Sequence, residues 1–314
     1  MTTASTAPTA LQRIALWCAL LVLAIAGASA FLRLSKVGLG CEPWPACYGA
    51  QLRALQRGEP IDDAAVQGVA AVRLAHRIIA STALVLVIVL AMGALTAKPR
   101  QRREVALALG LLAVALFLTA LGWITAGSRA PAVAMGNLLG GFAMLGFSWR
   151  LAAPRSSDAR AHRAGRAWAA TALALLALQV ALGGLLSAGH ATFSCGDIAQ
   201  CIDQVSTDGW TWAALDPWHE PRFDAASALP INPHGALANL LHRAVALLVM
   251  AAVLVAAWLA WRDGQRRSAV ALLVLLVLQL ALGAALVIGG ATVFTALAHN
   301  LAAALMVALL ARLI

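Results

Sequence analysis

Three histidines in this chain stand inside apolar stretches where they could hold a metal. His76 and Arg77 lie together in LAHRIIAS, and His242 and Arg243 repeat the pair in LLHRAVAL. His299 lies near the end of the chain, in TALAHNLAAA. A neutral imidazole is a good metal ligand. Upstream of each His-Arg pair, two cysteines enclose five residues: Cys41 and Cys47 in CEPWPAC, Cys195 and Cys201 in CGDIAQC. The layout therefore occurs twice. Gly127 precedes Asn137 by ten residues, as Gly289 precedes His299. In that register the first half has an asparagine where the second has an imidazole. Two pseudo-equivalent sites are expected, and only the second offers two imidazoles.

The elements that must position these groups are long and apolar. Of 314 residues, 62% are hydrophobic and 11% charged. Eight runs, 12–33, 70–96, 104–126, 132–152, 166–188, 236–261, 267–288 and 293–313, are rich in Leu, Ala and Val. A run of roughly 20 apolar residues crosses the ~30 Å core of a bilayer as a helix. Unpaired backbone groups in lipid cost several kcal/mol each, which leaves helices or closed barrels. These runs are continuous rather than alternating, so a barrel is excluded. The expected class is an all-α integral membrane protein with eight transmembrane helices.

The net charge of +10 is distributed as a topology signal. Loops two–three, four–five and six–seven carry twelve basic residues and three acids (Glu104, Asp158 and Asp263). Asp197, Asp203, Asp208, Asp216, Glu220 and Asp224 all fall in one intervening loop. By the positive-inside rule both termini and the basic loops are expected in the cytoplasm. Nucleic acid is not the expected partner; membrane lipid is. The first apolar run lacks a convincing cleavage site and reads as a retained span.

Residues 1–155 and 156–314 each hold four spans, and QVALG (179–183) in span five resembles QLALG (279–283) in span seven. Four is even, so the halves insert with the same orientation, as parallel repeats of a four-helix bundle. Loop five, about 188–235, is long, acidic and rich in Trp and Pro.

His76 and His242 lie near the starts of spans two and six. Asn137 and His299 lie about six residues, or ~9 Å, into spans four and eight. Facing helices of a bundle are where cofactor sites are built. Two imidazoles at one depth suit haem iron, which takes axial His. Zinc would want four ligands, and no Cys or carboxylate lies at that depth. Arg77 and Arg243 either pair with haem propionates through their donor forks or snorkel to the interface. The cysteine pairs lie on the oxidising side, as structural disulfides or as one redox-active dithiol. Cys18, alone in span one, reads as a small apolar residue. His190, His219, His234 and His162 are taken as solvated.

With these residues in place, the chain resembles the haem A synthase family (CtaA type), which converts haem O to haem A for cytochrome oxidase. The resemblance rests on FLRLSKVGLGCEPWPACYG, on AHR at 75–77 and LHR at 241–243, on the second Cys pair and on AHNL at 298–301. It implies haem b held by His242 and His299. It also implies a substrate site for haem O at His76, the candidate catalytic residue and third iron ligand. There a porphyrin methyl would be oxidised stepwise to an aldehyde with molecular oxygen. An electron donor and a haem O-producing enzyme would be partners. The chain departs from the family pattern at Asn137, where the family has its second N-terminal His. It departs again at Arg73, where the family has an acid three residues before the His-Arg pair. Two functions stay open: a haem-modifying oxidase, and a non-catalytic haem b protein for electron transfer or oxidase assembly. A secondary transporter has no paired broken helices to support it.

Overall fold

The computed structural model describes residues 9–36, 63–99, 101–125, 128, 130–153, 163–192, 194–208, 212–219, 232, 234–288 and 292–314. Eight long helices follow the expected runs: Ala10–Lys36, Asp63–Thr96, Arg102–Ile124, Pro131–Ala152, Arg163–Ala188, Gly235–Arg262, Arg266–Ile288 and Val293–Leu313. We refer to them as spans one to eight. All are long and apolar enough to cross a membrane, and the described residues contain no strand. The chain is a multi-pass membrane protein.

Span two departs most from expectation, opening at Asp63 rather than near residue 70. The segment DAAVQGVAAV has no proline and is rich in alanine, the best helix former, so the helix runs on beyond its apolar part. Other ends follow local chemistry. Pro131 occupies the first turn of span four, where its missing N–H costs nothing. Thr292 caps span eight, its Oγ1 accepting from the Thr295 N–H at 3.1 Å. Gly264 turns the chain between spans six and seven at φ 79°, a conformation open to glycine.

Small residues make the interior. The buried side of span one is Ala15, Cys18, Ala19, Val22, Ala26 and Ala30, at three- and four-residue intervals. Trp17, Ile78, Val85, Leu247 and Val274 point outward and are more than half exposed. That inversion suits a bilayer, where tight backbone approach between helices replaces burial of large apolar groups.

Spans one to four close a ring of neighbours (one on two, two on three, three on four, four on one), and spans five to eight close another in the same order. Spans one, four, five and eight meet between the rings. The set of packed pairs is unchanged when the halves are exchanged.

Loop five contains a short helix, Ile198–Asp208, and a 3-10 turn, Trp212–Leu215. Asp197 caps the helix, accepting from the Gln200 N–H at 2.7 Å, while the Gln200 side chain accepts from the Gly196 N–H at 2.7 Å. Cys195 and Cys201 form a disulfide with Cα atoms 5.1 Å apart, packed with Val205, Ala236 and Leu237. Cys41 and Cys47 lie outside the described residues. Cys18 is a buried free thiol.

Candidate functional site

The two C-terminal histidines are seated in the same way on different helices. The His242 Nε2 in span six lies 3.1 Å from the amide nitrogen of Gln179 in span five. The His299 Nε2 in span eight lies 3.0 Å from the amide nitrogen of Gln279 in span seven. The Oε1 atoms of Gln179 and Gln279 are themselves buried without a partner among the described residues, so with the amide turned over Nε2–H donates to Oε1 and Nδ1 keeps a free lone pair. One turn beyond each glutamine the supporting helix has a glycine. A Cβ at Gly183 would lie 3.3 Å from the His242 Cε1, and one at Gly283 would lie 3.4 Å from the His299 Cε1. Each imidazole thus rests on a Gln-x-x-x-Gly seat: the amide fixes the ring edge and the glycine makes room for it.

Both Nδ1 atoms are buried and have no hydrogen-bond partner among the described residues. No cluster of three or more His, Cys, Asp or Glu exists among the described residues. Two imidazoles with no further protein donor fit a metal that carries its own equatorial ligands, as haem iron does. They do not fit zinc, which takes three or four ligands from the protein.

Arg243 follows His242 and points along the disulfide loop. Its Nη2 donates to the Gly196 carbonyl at 3.0 Å, and Asp197 is its charged neighbour. Arg77 is exposed.

The N-terminal half is built differently. Spans one to four, with the end of span five, line a partly open cavity of about 770 Å³, within the range of ligand pockets. His76 lines it, with its Nε2 3.0 Å from the Ser29 hydroxyl of span one. Asn137 also lines it, so the pseudo-equivalent positions share one cavity. Asn137 and His299 each stand six residues after the first residue of their span, Pro131 and Val293, whereas His76 stands thirteen after Asp63 and His242 seven after Gly235. The seat itself is missing. In the register that pairs Asn137 with His299, Phe117 replaces Gln279 and Leu121 replaces Gly283. The Leu121 Cδ2 would lie 3.0 Å from a Cβ at Gly136, so a leucine packs against span four here. Arg73, one turn before His76, is exposed and does not line the cavity.

Two residues in this cavity escaped the sequence reading. Arg33 lines it from span one, and its Nε is buried with no hydrogen-bond partner among the described residues. Arg33 lies in FLRLSK, near the end of an apolar run. His190 was expected in solvent and is instead largely buried, lining the same cavity from just beyond span five. Burial pushes its pKa down to about 4, so the ring is neutral. A histidine two residues past a span looks solvated in sequence. Here Asn232, farther along loop five, donates to its carbonyl at 3.3 Å. His219 and His234 are exposed as expected, and His162 lies outside the described residues.

A family model described as COX15-CtaA, cytochrome oxidase assembly protein, matches residues 12–311, from the first turn of span one to the last turn of span eight. A heme A synthase of Shewanella oneidensis is 29% identical over 314 residues, covering 94% of this chain and 92% of that protein.

Proposed function

This chain belongs to the COX15-CtaA family of cytochrome oxidase assembly proteins, and from that premise we propose that it is a haem A synthase-type oxidoreductase of a bacterial inner membrane. Haem b is held in the C-terminal half by His242 and His299, and haem O is the substrate of the N-terminal half at His76. The observation that carries the reading is the repeated Gln-x-x-x-Gly seat, which presents two buried imidazoles with unfilled Nδ1 atoms.

Bound haem supplies redox-active iron, and oxidation of the substrate methyl to a formyl group draws on molecular oxygen and an external electron donor. The chain's own part is positioning. Gln179 and Gln279 orient the C-terminal rings, and glycines at 183 and 283 let them lie close to the helices. Ser29 fixes the plane of His76. Arg33 offers a buried donor fork to a propionate inside the cavity, where pairing with a carboxylate is strong. Arg77, and the donors of Arg243 left free by Gly196, serve propionates near the loop face. The apolar walls from Val22 to Phe142 keep water from the reacting methyl. The Cys195–Cys201 disulfide braces loop five above the C-terminal bundle.

A second reading has a specific observation behind it: a haem b-binding assembly or electron-transfer protein without oxidase activity. The N-terminal half lacks the imidazole at 137, the acid at 73 and the seat at 117 and 121. The deciding experiment expresses the chain in membranes supplied with haem O and identifies the extracted pigments. Hydroxylated or formyl haem is the expected product. Haem b alone, with a low-spin spectrum that survives in wild type and is lost in His242→Ala and His299→Ala, would select the second reading. A normal spectrum in both variants would remove the haem assignment altogether.

A further inference from the structure

We infer that His190, contributed by the C-terminal half, is the second imidazole of the N-terminal cavity and takes the place left by Asn137 as an axial ligand for the macrocycle bound there. The inference rests on the reading of that cavity as a haem site and adds a residue to it.

The cavity wall is the first observation. Its lining comes from spans one to four and the loop between three and four, except for Ala188 and His190, which reach in from the end of span five. His76 and His190 are the two imidazoles that line it. Neither Asn137 nor Ser29 is a strong iron ligand, so a second axial bond would have to come from position 190.

The backbone is the second observation. His190 has φ 56°, a left-handed conformation that a non-glycine residue adopts at a cost of about 1 kcal/mol or more. It persists because its surroundings over-determine it. The His190 carbonyl accepts from the Asn232 N–H at 3.3 Å, and the Gly189 carbonyl accepts from the Asn232 side chain at 3.2 Å. The Asn239 side chain donates to the carbonyls of Ala191 at 3.3 Å and Thr192 at 3.1 Å. Four consecutive carbonyls, 189 to 192, are thereby clamped. Gly235 completes the clamp, since a Cβ there would collide with Ala191 and Ser194. A rigid mount around one strained histidine is how a ligand is pre-organised.

Charge is the third observation. Arg33 presents a buried guanidinium edge to the same cavity. A macrocycle bearing carboxylates would satisfy it, so the site offers imidazole for the iron and a donor fork for a side chain of the ring.

The test is titration of full-length purified protein in detergent with ferric haem b, followed by optical and EPR spectra. The variants are wild type, His76→Ala and His190→Asn; asparagine tolerates the left-handed backbone. The C-terminal haem is the internal control for folding in every sample. The expected result is a second haem per chain, low-spin in wild type. In His190→Asn it turns high-spin or weakens at least tenfold, while the C-terminal signal is unchanged. If His190→Asn leaves the second haem as it was and His76→Ala removes it, the role of His190 is overturned and the N-terminal haem site stands. If no second haem binds, or His76→Ala does not affect it, the haem reading of this cavity falls, and the inference with it. Should His190→Asn lose the C-terminal signal too, His190→Gln is read in its place by the same criteria.

Discussion

Substitution at Gly283 separates the ring seat from the fold. An alanine Cβ there lies 3.4 Å from the His299 Cε1, just inside the 3.5–4.0 Å at which carbon atoms pack comfortably. A shift of a few tenths of an ångström relieves it. Valine adds γ-carbons about 1.5 Å farther out, and these do not fit between helix and ring unless the ring moves by about 1 Å or more. Such a displacement costs roughly 100-fold at a site that depends on geometry. The helix itself does not object, because Val is a few tenths of a kcal/mol better than Gly in a helix interior. The overpacking adds about 1–3 kcal/mol of strain, which a bundle of eight helices absorbs. Gly283→Val should therefore fold, insert and lose most of its low-spin bis-imidazole EPR signal. Gly283→Ala should keep that signal with shifted g-values. Gly93→Ala, whose added carbon would meet Leu11 at 3.9 Å, is the control and should match wild type. A full low-spin signal with one C-terminal haem in Gly283→Val would refute the seat.

Two further predictions concern loop five. Cys195→Ser opens a bridge between residues six apart, and the chain-entropy relation puts the loss at about 2 kcal/mol. A lower apparent unfolding temperature, together with faster amide exchange over Ile198–Asp208, is expected; unchanged exchange would mean that the disulfide does not brace the loop. His190 supplies a pH signature. Its pKa falls from 6.5 to about 4 on burial, so the unfolded chain takes up a proton that the folded chain refuses. The neutral ring's contribution is complete above pH 6.5 and is lost as pH falls towards 4, on the order of 3 kcal/mol in all. Wild type should thus lose stability between pH 7 and pH 5 relative to His190→Asn, read as a difference in unfolding midpoints. Parallel pH responses would show that the ring is not held neutral.

The eight spans were legible in sequence because continuous apolar runs of this length have few alternatives in lipid. The repeated layout was visible in the paired cysteines and His-Arg pairs, and the structure sets His76 and Asn137 on the wall of one cavity. Gln179 and Gln279 were visible as a recurring QxxLG-like signature, yet their purpose was not. Which helix face meets which neighbour depends on packing, and the two glutamines find their rings 63 and 20 residues away in sequence. The signal that could have found them was the glycine four residues on, placed twice beside a polar group in otherwise apolar helices. Arg33 and His190 were illegible for another reason. Arg33 is buried at the end of an apolar run and His190 just past one, and no local pattern distinguishes such positions from interfacial ones.

That last point bears on how the two halves divide the work. The sequence divides at about residue 155 into two four-span units. The N-terminal cavity does not respect the division. Its wall includes Ala188 and His190, and span four begins under the Pro217 carbonyl, which accepts from the Ala132 N–H at 2.7 Å. Loop five, attached to the C-terminal half, therefore covers the N-terminal one. The first half differs as a set: it has Asn at 137, Phe at 117 and Leu at 121 where the second half has imidazole, glutamine and glycine. The cavity has not closed, however, and it still carries His76, Arg33 and a clamped histidine from the other half. If this cavity binds a macrocycle, its second imidazole would come from the loop above the bundle rather than from span four, and Asn137 would then need no ligand role.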